Sequence, residues 1–345
     1  MLPVAERAAA QNRRYELADI FRNYGEQYRQ KCLAKARWLE KQKLELLPVG
    51  YFHLVFTVPH ELNRLILVNK KPLINILFHA VSETLLEFAR THFGGTLGLT
   101  AVLHTWDQTL LDHFHLHCLV PAGALSGDQN RWIPAAKTSC SLLQPLSIVF
   151  RGKFLDFLKK AFDQKKLLFP GQSAPLAEAG TFTLLFKTLR QKSWVVYAKK
   201  PFASADSVLG YLGRYTHRVA LSNNRIRSVY DSDRDRKKQN QLKLMKLQAD
   251  EFIRRFLLHV IPKGLMRVRH FGFLANRSKK QALAQCHRLL KLDPALPQSL
   301  NHSAKDVLLK LTGFDLNRCP NCQNGTMIVA GDLPPISSSS RWDSS

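Results

Sequence analysis

The segment from Asp112 to Pro121 constrains the fold more than any other stretch of the chain, because three histidines in it alternate with apolar residues. A period of two is the spacing of a half-buried β-strand, whose successive side chains point to opposite faces. The pattern predicts a histidine face of His113, His115 and His117, and an apolar face of Phe114, Leu116 and Cys118. Neighbouring imidazoles on a strand backed by packed apolar residues form a rigid platform for a metal ion. A solvated strand face, or core histidines bonded to main-chain carbonyls, would give the same pattern.

The charge of the chain indicates a polyanionic partner. Its 345 residues carry 51 Lys and Arg against 26 Asp and Glu, and this net charge of +25 repels itself on a compact surface unless a polyanion offsets it. Nucleic acid is the usual partner for such a surplus. The sequence shows no run of 18 apolar residues, signal peptide or lipidation motif, so we expect no membrane partner. Six cysteines are too few for a disulfide framework, and a reducing cytoplasm is the expected location.

The order of the other patterns predicts the fold class. Residues 99–106 form an apolar strand that a short loop joins to the histidine strand, so the two should pair as antiparallel neighbours. Further strands are expected at 51–59 and 194–198, and helices at 60–92, 145–169 and 204–218. This order of elements predicts an α+β domain in which helices pack on an antiparallel sheet.

The C-terminal third of the chain is strongly basic. Between Arg225 and Lys291 there are 18 Lys and Arg against 5 Asp and Glu. Within this stretch, residues 267–273 alternate basic with apolar side chains, a pattern that suits an edge strand lying on a phosphate backbone. A solvated charged face is the alternative. Helices are expected on either side of this strand, at 250–260 and 281–292.

Two tyrosines supply candidate nucleophiles. Tyr211 and Tyr215 are four residues apart in a predicted helix, so both phenols lie on one face. Arg214 and Arg218 form an adjoining ridge that could hold phosphates. The alternative for the two tyrosines is a structural role, since tyrosines at this spacing also occur in helix cores. A tyrosine hydroxyl has a pKa of about 10 and needs an activated target or a base. Because a divalent ion on the histidine strand would activate a phosphate, the two motifs together predict DNA strand transfer through a phosphotyrosine link.

These motifs resemble those of a known family. His115-Leu116-His117 is similar to the His-hydrophobic-His signature of HUH nucleases, and Tyr211-x-x-x-Tyr215 resembles the tyrosine pair of two-tyrosine HUH transposases from rolling-circle insertion sequences of the IS91 type. The resemblance covers most of residues 35–325. It implies a ferredoxin-like HUH catalytic domain that uses Mg²⁺ or Mn²⁺ and cuts single-stranded DNA at element ends, leaving a 5′-phosphotyrosine and a free 3′-OH. His115 and His117 would be metal ligands, and Tyr211 and Tyr215 the nucleophiles.

The sequence leaves the third metal ligand open. His104 is the first candidate, because it lies on the strand predicted to pair with the histidine strand. Gln108 and His113 follow, and Asp107 and Asp112 are weaker options. The expected DNA contacts are arginines of the tyrosine helix and of the basic C-terminal region: Arg214, Arg218, Arg225, Arg267, Arg269 and Arg277.

We expect four regions: a basic helical N-terminal region (1–47), an HUH catalytic domain (48–228), a basic C-terminal DNA-binding region (229–325) and a disordered tail (326–345). Family members usually carry a cysteine-rich zinc-binding module before the catalytic domain, but the first hundred residues here contain only Cys32. The N-terminal region is therefore interpreted as a shortened remnant of that module. Cys319 and Cys322 form half of a structural zinc site, with no second cysteine pair in reach.

Other functions fit the same residues. A plasmid replication initiator or relaxase would use the same chemistry for another task, and a non-catalytic relic of a transposase would bind DNA without cutting it. A histidine-rich metalloenzyme for small molecules would need neither the +25 charge nor the paired tyrosines. The leading prediction is a transposase that acts on single-stranded DNA in the bacterial cytoplasm and is associated with the nucleoid when bound to DNA.

Overall fold

The computed structural model describes residues 41–43, 45–107, 109–135, 143–202, 207–208 and 247–291, together with 309, 315, 318–319, 322 and 324–326. The chain divides into two compact units, residues 1–40 with 299–345 and residues 41–298, and every element named below belongs to the second unit. The strands are β1 (Tyr51–Thr57), β2 (Gly95–Thr96), β3 (Gly98–Trp106), β4 (Asp112–Pro121), β5 (Gly123–Ser126), β6 (Trp132–Pro134), β7 (Val195–Phe202) and β8 (Val268–Gly272). The α-helices are α1 (Asn63–Val68), α2 (Lys70–Phe93), α3 (Leu143–Asp163), α4 (Ala179–Gln191), α5 (Ala249–Leu258) and α6 (Lys279–Leu289), and 3₁₀ turns span His60–Leu62 and Gly171–Ala177.

The main sheet has five antiparallel strands in the order β7-β1-β4-β3-β8. Without β8 and the short strands β2, β5 and β6, the chain runs β1, helix, β3, β4, helices, β7, and in the sheet β1 and β4 lie between β7 and β3. This is the βαββαβ arrangement of a ferredoxin-like fold. The predicted α+β class is therefore confirmed, as is the antiparallel pairing of residues 99–106 with 113–120, now β3 and β4.

One face of this sheet is packed against the long helices α2 and α3. The buried core includes Phe114, Leu116 and Cys118 from β4, as the alternation in the sequence predicts, together with Phe78 of α2 and Phe150 of α3. Because successive residues of a strand point to opposite faces, the histidines of β4 lie on the side of the sheet away from these helices. Packing of the apolar face of β4 against α2 and α3 therefore fixes the position of the histidines on the opposite face.

The basic strand predicted at 267–273 is present as β8, and among the strands that the structure describes it lies at the edge of the sheet, paired with β3. The sheet therefore includes a strand from beyond residue 228, where the sequence suggests the end of the catalytic domain. The region boundaries proposed from the sequence remain predictions. None of the helices that the structure describes is long and apolar enough to cross a membrane.

Some elements differ from those expected. The helix predicted at 60–92 is interrupted at Asn69, and the one predicted at 145–169 ends at Asp163, shortly before Lys165 adopts a positive φ of 53°. Helix α4 and the small sheet β2-β5-β6 are additions to the predicted set. Strands β5 and β6 have only 4 and 3 residues, which is too short for a periodic pattern to reveal.

Candidate metal centre

Three buried histidines converge on the face of the sheet away from α2 and α3. His104 of β3 lies directly across from His115 of β4 in the strand register, and His117 follows two residues later on the same face. One ring nitrogen of each residue lies within 4.8 Å of those of the other two. The side chains of His104, His115 and His117 are 5%, 8% and 5% exposed. Among the described residues this triad is the only group of three or more metal-ligating side chains with such a geometry.

A main-chain contact orients His115. Its Nδ1 lies 2.8 Å from the carbonyl oxygen of His113, which can only accept a hydrogen bond. His115 therefore carries its proton on Nδ1 and presents the lone pair of Nε2. A ligating imidazole is usually fixed in this way by an acceptor at its other nitrogen.

The donor set fits a divalent ion. Imidazole nitrogen is a softer ligand that first-row transition metals accept, whereas Mg²⁺ prefers oxygen ligands. Three neutral ligands leave the charge of a bound dication uncompensated, which suits an anionic substrate. The triad could thus hold a divalent ion and, on ligand chemistry alone, Mn²⁺ fits it better than Mg²⁺.

An aromatic and a basic side chain adjoin the triad. The indole of Trp106 stacks on His104, with ring centroids 5.4 Å apart and 8° between the planes. The guanidinium carbon of Arg267 lies 5.8 Å from the centre of the Trp106 ring, and burial lowers the pKa of this arginine. Arg267 immediately precedes β8, the strand on the other side of β3 from β4. Its positive charge is therefore separated from the candidate ligand His104 by the ring of Trp106.

The other candidates for a third ligand are placed differently. His113 is exposed and lies outside the triad. Burial alone would raise the pKa of Asp107, but hydrogen bonds from Thr109 and Leu111 lower it and keep this carboxylate within the β3–β4 turn. Burial raises the pKa of Asp112, which also lies outside the triad. Gln108 lies outside the described residues.

One neighbour of the triad was not singled out by the sequence. Nε2 of His53, on β1, lies 2.8 Å from Nδ1 of His117 on the adjacent strand. His53 is a lone histidine in an apolar strand, and its contact depends on the register that pairs Val55 with His117. No local signal in the sequence marks it.

The comparisons with known proteins identify the family. Residues 98–282 match the family model Y2_Tnp, described as "Putative transposase". The chain is 43% identical over 323 residues to "Putative transposase y4qJ" of Sinorhizobium fredii (strain NBRC 101917 / NGR234), an alignment that covers 91% of this chain and 81% of the relative. The chain belongs to this transposase family.

A second relative ties the family to insertion sequences. The "Transposase for insertion sequence element IS801" of Pseudomonas savastanoi pv. phaseolicola is 26% identical over 272 residues, which cover 76% of this chain and 63% of that protein. The resemblance to IS91-type transposases drawn from the sequence motifs is thereby confirmed.

Among solved structures, the transposase is similar to "Conjugative Relaxase TrwC in complex with mutant OriT Dna", with a TM-score of 0.28 and 12% identity over 70% of this chain and 75% of the other. The metal-free structure of that relaxase with OriT DNA gives a TM-score of 0.26 and 11% identity over 70% of this chain and 73% of the other. At these values the likeness carries no inference about activity.

The tyrosines expected of a two-tyrosine transposase, Tyr211 and Tyr215, lie outside the described residues. The same holds for three of the arginines predicted to contact DNA: Arg214, Arg218 and Arg225. Of the others, Arg277 is exposed. Arg269 pairs with Ala101 on the helix side of the sheet, where it stacks on Phe78 with 4.1 Å between guanidinium carbon and ring centre. Only Arg267 adjoins the triad among the three described arginines.

Both cysteines of the pair contact Gly325. The amide of Gly325 donates to Sγ of Cys322 at 3.3 Å, and the amide of Cys319 donates to the carbonyl of Gly325 at 2.7 Å. Within the described part of the chain, the pair is not joined by a further histidine, cysteine or carboxylate at metal-ligating distance. Zinc binding by Cys319 and Cys322 stays a prediction.

Proposed function

We propose that this transposase cleaves and rejoins single-stranded DNA at the ends of an insertion element, through tyrosine attack and a 5′-phosphotyrosine intermediate. The observation that carries the proposal is the convergence of His104, His115 and His117 in a chain that belongs to a transposase family. These residues would hold a divalent ion, Mn²⁺ or Mg²⁺. When bound, such an ion withdraws electron density from the scissile phosphate and offsets charge in the transition state.

The covalent step would be carried out by Tyr211 or Tyr215. The phenolic oxygen attacks phosphorus, the bond from phosphorus to the 3′ oxygen breaks, and the phenolic proton is transferred to the departing 3′ oxygen. Tyrosine then holds the 5′-phosphate, and a free 3′-OH can reverse the attack to rejoin a strand. Two tyrosines suit strand transfer, because one can hold a covalent strand while the other cuts the next.

Binding of the DNA would depend on the basic surface. The net charge of +25 provides a strong, sequence-independent attraction for the phosphate backbone. Arg267 lies beside Trp106 at the triad, where it would pair with a phosphate next to the one being cut. The remaining proposed contacts are Arg214, Arg218, Arg225, Arg269 and Arg277.

The test is incubation with 3′-labelled and 5′-labelled single-stranded oligonucleotides of element-end sequence in Mn²⁺, resolved on a denaturing gel. We expect the 3′ label to migrate with the protein and the 5′ label to appear on a shortened free strand, with both signals lost in EDTA. The double variant Tyr211→Phe, Tyr215→Phe should form no adduct. Tyr197→Phe is the matched control, since this tyrosine of β7 is 55% exposed and outside the motif, and it should react like wild type.

The alternatives give different results in the same assay. A replication initiator or relaxase would form the adduct on plasmid-origin DNA in preference to element ends. A relic would bind the oligonucleotides with strong salt dependence but form no adduct with any divalent metal, and that result would contradict the proposal. Absence of salt-sensitive DNA binding would favour a metalloenzyme for small molecules.

A further inference from the structure

His53 occupies a position that controls one of the candidate metal ligands. It lies on β1, which is paired with β4 and β7 in the sheet, and it is 1% exposed. Its ring is held between two others. On one side Nε2 contacts Nδ1 of His117 at 2.8 Å, and on the other the ring of Phe202 stacks with centroids 5.6 Å apart and 17° between the planes. These contacts hold the imidazole beside His117.

The contact fixes which nitrogen of His117 faces His53. Since this nitrogen is Nδ1, a bound ion would be held by Nε2. A neutral imidazole has one N–H and one lone pair. If the Nε2 lone pair of His117 binds the ion, its proton is on Nδ1 and is donated to Nε2 of His53, whose own proton then resides on Nδ1. If His53 instead donates from Nε2, the proton of His117 is on Nε2, and the ligand position is blocked.

We propose that His53 is a positioning residue that sets the tautomer of His117, and thereby the metal affinity of the triad. The inference rests on the proposed function only in taking the triad as a metal site. The two ligands of β4 differ in this respect. His115 donates to a carbonyl oxygen, which can only accept a hydrogen bond. His117 instead bonds to an imidazole, which can either donate or accept one.

The neutral charge of His53 as an acceptor also affects the effective charge of a bound ion. A carboxylate at this position would raise the basicity of His117 and reduce the effective charge of the ion. An imidazole orients the ligand without adding a negative charge. The bound ion would therefore keep its full attraction for a DNA phosphate. His53 itself lies outside the group of three that converges on the metal position within the described residues.

The first experiment measures Mn²⁺ affinity by isothermal titration calorimetry on the metal-free protein, with no DNA present. His53→Phe keeps a ring against Phe202 but removes the acceptor, and we expect it to weaken Mn²⁺ binding by about 10- to 100-fold. His53→Gln keeps an acceptor oxygen and should restore affinity close to wild type. His270→Phe is the matched control, because His270 is a histidine of the same sheet that bonds to Thr100 rather than to the triad, and its affinity should be unchanged.

A second measurement uses the wild-type protein and does not depend on any variant folding. Long-range ¹⁵N–¹H spectra of ¹⁵N-histidine-labelled protein, loaded with diamagnetic Zn²⁺, report which ring nitrogen carries each proton. We expect His53 and His117 both to carry it on Nδ1 after loading. A proton on Nε2 of His53 in the loaded protein would overturn the proposal.

The outcomes separate this inference from the proposed function. His115→Ala should abolish Mn²⁺ binding if the triad is the metal site. If it does so while His53→Phe binds as tightly as wild type, the role of His53 is wrong and the proposed function stands. If His115→Ala binds Mn²⁺ like wild type, the triad is not the metal site and both proposals fail. Melting curves in EDTA establish that each variant is folded.

Discussion

His270 is a histidine whose burial makes stability depend on pH. It lies on β8, with Nδ1 2.9 Å from the hydroxyl of Thr100. Burial, assisted by the nearby charge of Lys279, lowers the pKa of His270 to about 4. An unfolded histidine titrates at about 6.5. Between these values the unfolded chain binds a proton that the native protein does not, so this group reduces stability as the pH falls from 6.5 to 4.

His270→Gln should flatten this dependence. Glutamine can still bond to Thr100 but does not titrate, so the free energy of unfolding should fall less steeply with acidification than in wild type, by up to about 1.4 kcal/mol per pH unit. Urea denaturation at several pH values between 4 and 7 measures the difference. His79→Gln, at an exposed site on α2, is the control and should keep the wild-type slope. Equal slopes for all three proteins would contradict the prediction.

The candidate ligands His115 and His117 could be predicted from the sequence, whereas their neighbour His53 could not. His115 and His117 follow from an alternation contained in ten residues, and His104 from a short hairpin that places it across from His115. His53 is 64 residues from His117 in sequence, and its contact requires both the pairing of β1 with β4 and its register. A lone histidine in an apolar strand carries no such information.

Among the elements, α5 is attached to the rest of the fold by hydrogen bonds of Lys70 and His259. Nζ of Lys70 donates to the carbonyl oxygens of Leu258 and Val260 at the end of the helix, each at 2.9 Å. His259, just after the helix, bonds to the hydroxyl of Thr105 and to the carbonyl of Leu110. Helix α5 is thus fixed against the turn that connects β3 to β4.

Lys70→Met should loosen this attachment. It removes two charge-assisted hydrogen bonds and leaves their acceptor carbonyls without this donor, at a cost of roughly 1.5–3 kcal/mol. Amide hydrogen exchange should accelerate in residues 249–260 while the amides of β1 and β4 stay protected. Lys71→Met, which changes the exposed neighbouring lysine, should leave exchange unaltered. Equal protection of α5 in the two variants would show that Lys70 does not hold it.

Element ends were predicted less well than element types because tertiary contacts decide them. Asn69 interrupts the predicted long helix. Its side-chain Nδ2 donates to the main-chain carbonyls of Leu65 and Leu168. Its side-chain Oδ1 accepts a hydrogen bond from the main-chain amide of Leu168. A partner 99 residues away cannot be read from a local pattern. Strands β3 and β4 were predictable because alternation and a short connection are local features.

At the scale of the whole molecule, charge and fold give separate information. The +25 surplus predicts a polyanion, whereas the βαββαβ order predicts a sheet without indicating what it binds. The attachment of β8 to that sheet brings Arg267, a basic residue from the C-terminal third, beside the triad. The composition could not reveal this, because it requires pairing between strands far apart in sequence.

DNA affinity should therefore fall steeply with salt. For single strands, the logarithm of the binding constant decreases with the logarithm of salt concentration by about 0.7 per neutralised phosphate. Arg267→Gln should reduce this slope by about 0.7, because one phosphate contact is lost. Fluorescence anisotropy over a range of salt concentrations measures it. Arg90→Gln, at an exposed position in the last turn of α2, should keep the wild-type slope, and an equal slope for Arg267→Gln would exclude that contact.

The two faces of β4 make correct strand pairing a shared requirement of folding and function. A shift of one residue in a strand moves every side chain to the opposite face. In such a misfolded chain the imidazoles of His115 and His117 would enter the apolar core, while Phe114 and Leu116 would be displaced from it. A protein that lost the histidine triad by this error would also lose its stability and be removed by cellular proteases. A chain with this register error would therefore be unstable as well as inactive, and we expect that it does not accumulate.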